Sequence, residues 1–152
     1  MSGPLNYTTT IAATKTAGEC LALLGTHGAA AIAITYDHSE PTGIAFRLET
    51  PHGDREFRLP VNVGGMHKSL VKASRDGRIG PRFATPEQAR RVAWRVAKNW
   101  LEAQFAIVDA QMVAMDEAFL PYLQVEADRG GRTLYQAYAE RENALALEAS
   151  HG

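Results

Sequence analysis

Apolar positions along the chain change their period near residue 63. Before it they alternate or run together, as strands do, with one helical interval. After it they recur every three or four residues. Asn6 to Ala13 alternates weakly and is rich in threonine, which predicts a first strand. Thr14 or Thr16 then caps a helix, with Glu19 placed to complete a capping box from Thr16, and Gly25 ends it after Leu24. Its apolar residues Cys20, Leu21, Leu23 and Leu24 supply one buried face. Ala29 to Tyr36 reads as a buried strand, and Asp37 to Gly43 as a turn.

The clearest local pattern is a β-hairpin. Ile44 to Thr50 and Arg55 to Val61 both alternate, and Pro51-His52-Gly53-Asp54 joins them. Ile44, Phe46, Leu48, Phe57, Leu59 and Val61 share one face. Arg47, Glu49, Glu56 and Arg58 share the other. One register sets Arg47 against Arg58 and Glu49 against Glu56, which repels. A shift by two residues sets Arg47 against Glu56, and cross-strand attraction favours it.

Met66 to Ala73 predicts a short helix, and Ser74 to Ala84 a basic loop. Thr85-Pro86-Glu87-Gln88 is a strong helix start, with Thr85 as N-cap and Pro86 at the first position. The helix it opens runs to about Gln111. Met115 to Leu123 predicts a further helical segment, Asp128 to Gly131 a break, and Thr133 to Leu147 a last helix. The predicted fold is α+β: a small, mostly antiparallel sheet in the order β-α-β-β-β, then a long helix and two shorter ones. One domain over 1–152 is expected, with a sheet-forming half (6–63), a basic connection (64–84) and a helical half (85–147).

At 100° per residue the long helix carries three strips. Val92, Val96, Trp100, Ala103 and Ile107 form one, which is expected to pack on the sheet and to make Trp100 a core residue. Trp94, Leu101, Phe105, Val108 and Met112 form a second apolar strip. Arg91, Arg95 and Lys98 form a third. The apolar surface is wider than one sheet face needs. Phe119, Leu120, Tyr122, Leu134, Tyr135 and Tyr138 of the later helices, or a second copy of the chain, are expected to cover the second strip.

Charge sharpens this picture. The net charge of −1 conceals a basic middle. Residues 68–98 hold 9 basic and 2 acidic residues, whereas residues 99–152 hold 3 basic and 9 acidic ones. The middle is a candidate polyanion site, unless the acidic C-terminal part folds over it. Trp94 borders the basic strip, and base stacking needs an exposed aromatic beside cations. The competing reading buries Trp94 against the C-terminal helices or a second copy.

Other candidate chemistry is thin. Asn62-Val63-Gly64-Gly65-Met66-His67-Lys68 joins a strand to a helix and could seat a phosphate, but it lacks the spacing of a Walker or dinucleotide loop. Asp37-His38 with Glu40, or His52 with Asp54, has no recognised metal spacing. Cys20, the only cysteine, lies among leucines and reads as a buried thiol. No nucleophilic triad or paired acid and base stands out. No enzymatic activity, cofactor or metal is therefore expected. The longest apolar run, Gly28 to Ile34, is far too short to span a bilayer, and the N-terminus lacks the regions of a signal peptide. A cytoplasmic setting is expected.

The stretches TPHGDREFRLP, ATPEQARRVAWRVAKNWLEAQ, LPYL and GRTLYQAYAE resemble an uncharacterised family of small proteins from actinobacterial phages, prophages and other mobile elements. The likeness runs from about Tyr7 to Glu140. It implies a mobile-element origin and an intracellular setting, and it supplies no catalytic or binding residues. The functional expectation is a phage-type accessory protein that binds nucleic acid, single-stranded DNA first, without sequence specificity, in replication or recombination. Lys68, Lys72, Arg75, Arg78, Arg82, Arg90, Arg91, Arg95 and Lys98 would contact phosphates, and Trp94 or Phe83 would stack on bases. The alternative is an interaction protein that captures or blocks a host factor. A sponge for a small nucleotide signal at Gly64, Gly65 and Lys68 is a further variant. Self-association is expected in either case.

Overall fold

A computed structural model describes residues 3–125 and 131–151. The first element is a helix, α1 at Ala13–Thr26, and not the strand expected over Asn6 to Ala13. Threonines favour strands only where a neighbouring strand can pair with them. Here the backbone turns instead: Asn6 has φ 64, and the Tyr7 amide donates to the Pro4 carbonyl at 3.1 Å. The carbonyls of Tyr7 and Thr9 accept from Gln88 Nε2 at 2.8 and 2.9 Å, so a glutamine side chain replaces the missing ladder.

The sheet has three antiparallel strands in chain order: β1 at Ala31–Asp37, β2 at Glu40–Thr50 and β3 at Gly53–Pro60. In the hairpin Arg47 pairs with Glu56, the register that charge favoured, and Arg47 Nη2 lies 3.0 Å from Glu56 Oε1. Between β1 and β2 the partners step from Thr35 with Gly43 to Tyr36 with Pro41, which leaves Thr42 as the extra residue on β2. A Cβ at Gly43 would sit 2.9 Å from the Leu59 carbonyl oxygen, so this central position needs glycine. The outer edge of β3 is covered: Phe57 bridges Leu123, and the Gln124 amide donates to the Glu56 carbonyl at 2.8 Å.

Beyond the sheet come α2 at Val63–Arg75 and a 3₁₀ turn at Pro81–Phe83. The long helix α3 covers Pro86–Asp109, and Thr85 Oγ1 accepts from the Gln88 amide at 3.1 Å as its sequence predicts. The expected helix over Met115 to Leu123 divides into α4 at Met115–Ala118 and a 3₁₀ turn at Leu120–Tyr122, where Pro121 cannot donate to a continuing helix. The last helix, α5, runs over Leu134–His151. Of the expected break at Asp128 to Gly131, only Gly131 lies within the described residues.

The fold is α+β. Its main core joins Ala17, Cys20 and Leu24 of α1 to the inner face of the sheet and to Trp94, Leu101, Phe105 and Phe119. A second cluster sets Leu70, Ala73 and Ile79 against Ala89 and Val92 on another side of α3. Among the described residues no helix is long and apolar enough to cross a membrane.

Candidate nucleic-acid interface

Trp94 is buried, as its competing reading held, and Trp100 does not take the core place expected of it. Trp94 is fully buried, and its indole N–H donates to the Pro41 carbonyl at 3.1 Å. An enclosed indole with its donor satisfied cannot stack on a base, so Trp94 leaves the candidate site. Trp100 is only half-buried. It meets Phe119 and Tyr122 edge to face and lines an apolar groove of about 240 Å³ with Met66, Val96 and Tyr122. The strip expected on the sheet is therefore the one left partly open: Val92 packs toward α2, and Ala103 is exposed. Phe119 covers the Trp94 strip as expected, 5.4 Å from Phe105 between ring centres. Helix α5 does not, since it has no buried residue and Tyr135 and Tyr138 stay exposed.

The cations of α3 are neutralised within the chain. Arg90 Nε lies 3.0 Å from Glu40 Oε2, and Arg91 Nη2 lies 2.8 Å from Glu87 Oε1. Arg95 Nη1 lies 3.0 Å from Glu19 Oε2, and Lys98 Nζ lies 3.5 Å from the same oxygen and 2.6 Å from Glu102 Oε1. The neutralising carboxylates come mostly from α1, β2 and α3 itself. Apart from Glu102, the acidic C-terminal part supplies none of these partners among the described residues. Burial opposes ionisation of Glu19, but the Arg95 hydrogen bond and the charges of Arg95 and Lys98 outweigh it and hold the carboxyl below its ordinary value. The hydrogen bond to Glu102 holds the Lys98 ammonium above its ordinary value. Beneath this cluster Cys20 is fully enclosed, and burial pushes its thiol up to about 11.

The remaining cations lie elsewhere. On α2, Leu70 and Ala73 point into the second core cluster. At 100° per residue Lys68, Lys72 and Arg75 fall within about 60° of one another on the opposite face. All three are exposed, and none has an ion pair among the described residues. The helix has no acidic residue. Arg82 is exposed in the adjoining 3₁₀ turn, its guanidinium 4.6 Å from the centre of the half-buried Phe83 ring. Arg78 is partly spent on Asp76 at 3.9 Å.

The Gly64-Gly65 turn has a structural explanation. Asn62 Oδ1 accepts from the Gly65 amide at 2.8 Å, and a Cβ on Gly65 would meet Asn62 Nδ2 at 2.9 Å. Gly65 makes room for the cap, and the cap consumes a donor that a phosphate would need.

Two histidines, His52 and His27, serve as clasps. His52 Nδ1 lies 2.6 Å from Asp116 Oδ2, tying the hairpin turn to α4. That hydrogen bond holds the Asp116 carboxyl below its ordinary value. His27, at the end of α1, stacks on Phe105 at 4.1 Å and sets Nε2 3.2 Å from Asp109 Oδ2. Asp37 and His38 meet at 4.0 Å in an exposed turn. Asp116 and Asp109 lie far along the chain from His52 and His27, so no local pattern announces these two pairs.

No family model, curated protein or solved structure matches this chain.

Proposed function

We propose that the chain binds single-stranded nucleic acid without sequence specificity, through α2 and the Pro81–Phe83 turn. The observation that carries this reading is the row Lys68, Lys72 and Arg75, exposed and unpaired among the described residues, directly opposite the buried face of its helix. Arg82 extends the row, whereas Phe83 is half-buried between Tyr7, 5.2 Å away between ring centres, and the Arg82 guanidinium, so the reading rests on the phosphate contacts and not on base stacking. The α3 cations, paired internally, hold up the fold instead of the ligand.

The test is binding of a labelled oligonucleotide followed by anisotropy at several salt concentrations. Four phosphate contacts give log K against log salt a slope of about −2.8 on a single strand, whereas all nine cations would give about −6. Replacing Lys68, Lys72 and Arg75 with glutamate should abolish binding, and duplex DNA and RNA competitors identify the preferred strand. Absence of binding by the native chain at low salt would overturn the reading.

One observation favours the second reading, capture of a host protein. Helix α5 has no buried residue and exposes Tyr135, Tyr138, Leu145 and Leu147. A stoichiometric protein partner that survives nuclease and is lost on deletion of 134–151 would support it.

A further inference from the structure

We propose that β1 pairs antiparallel with the β1 of a second copy, about a two-fold axis through Ile34, so that the sheet continues across two chains. Nucleic-acid binding is not required for this pairing.

The three strands have unequal edges. β2 is paired on both sides, and Leu123 and Gln124 bond to the outer side of β3 at Glu56 and Phe57. Among the described residues, nothing pairs with the outer side of β1. Such an edge presents N–H and C=O groups that only another extended chain can pair in series. Protective devices are missing from it. Ala31 to Tyr36 has no charged residue and no proline, and the extra residue of the bulge sits on β2 and leaves β1 regular. Ala31 and Ala33 are exposed, and Tyr36 is 59% exposed although it shares the inner face with Ile32 and Ile34. Those two isoleucines pack against the core yet stay only half-buried, so the core is open on this side.

The residues of β1 match themselves. With Ile34 opposite Ile34 of the second copy, Ile32 faces Tyr36 of that copy. The inner sides then meet as a row of β-branched and aromatic pairs that closes the open end of the core. On the outer side Ala33 faces Thr35. Asp37, the only charge in the strand, faces Ala31, so no like charges meet. A strand of unrelated sequence would have to provide the same apolar row. The chain already carries one.

Sedimentation of the full chain over a range of concentrations, with amide exchange followed at β1, tests the proposal. The native chain should sediment at twice 16.5 kDa, with slow exchange over Ala31 to Tyr36. Ala33→Lys with Thr35→Lys sets lysine opposite lysine twice and should give a monomer that keeps its far-ultraviolet circular dichroism. Ala33→Lys with Thr35→Glu sets lysine opposite glutamate in the same register and should restore the dimer. A native chain that stays monomeric overturns the proposal. So does a dimer that survives the double lysine change with rapidly exchanging β1 amides, which would place the interface elsewhere.

Discussion

The indole N–H of Trp94 donates to the carbonyl of Pro41 at 3.1 Å and ties the first half of α3 to the start of the central strand. Both residues are buried, so the bond is closed to water. Trp94→Phe keeps most of the ring volume and leaves the Pro41 carbonyl without its donor, at a cost of about 1–3 kcal/mol. Trp94→Ala also opens a cavity and costs about 3–5 kcal/mol. Denaturant unfolding measures both. In acrylamide quenching, the tryptophan left in Trp100→Phe should be shielded and the one left in Trp94→Phe accessible. Equal quenching would contradict the assignment.

Glu19 holds two cations at once. Glu19→Gln leaves the Arg95 side chain, 12% exposed, without its anion, and should destabilise the fold more than Glu87→Gln, whose carboxylate is 71% exposed. The Glu19 carboxyl lies below its ordinary value in the fold. Its stabilisation is therefore full above the ordinary carboxylate range and lost as the pH falls through the lowered value. The stability of Glu19→Gln should depend less on pH across that acidic window. Parallel profiles would remove Glu19 from the account.

The clasp between His52 and Asp116 predicts a smaller coupling. His52 is 77% exposed, so a double-mutant cycle with His52→Ala and Asp116→Asn should return about 0.2–1 kcal/mol. Because the Asp116 carboxyl is lowered, its contribution is also present above the ordinary carboxylate range and disappears as the pH drops below it. A coupling indistinguishable from zero near neutral pH would mean that the clasp is not formed in solution.

Cys20 offers a built-in probe of opening. Enclosed, with its thiol pushed up to about 11, it should resist a thiol reagent at pH 8 in the folded chain. Labelling should proceed at the rate of unfolding and quicken in Glu19→Gln. Rapid stoichiometric labelling of the native chain would show that the α1–α3 contact is loose.

The local features of the fold were legible where a few neighbouring residues set the outcome. Alternation on both sides of Pro51-His52-Gly53-Asp54 marks the hairpin, and the charges of Arg47 and Glu56 choose its register. Thr85 and Pro86 mark the start of α3 because capping is satisfied within four residues. The Thr-rich segment at 6–13 misled because strand propensity has force only beside another strand, and none lies there.

What the sequence alone determined is the inventory: an antiparallel hairpin, a long helix with two apolar strips and one basic strip, and a buried cysteine. Helical periodicity sets the angles between those strips and says nothing of which one meets the sheet. That depends on where α1 and α2 come to rest against α3. Tertiary packing therefore decided that Trp94 is enclosed and Trp100 half-open. It also decided which cations are spent. Glu19 and Glu40 lie dozens of residues before the arginines they neutralise, and only the folded chain brings them within 3.0 Å. Of the nine candidate cations, Lys68, Lys72 and Arg75 remain unpaired among the described residues because α2 turns its apolar face inward and presents to solvent a face with no carboxylate, and Arg82 stays exposed in the adjoining turn.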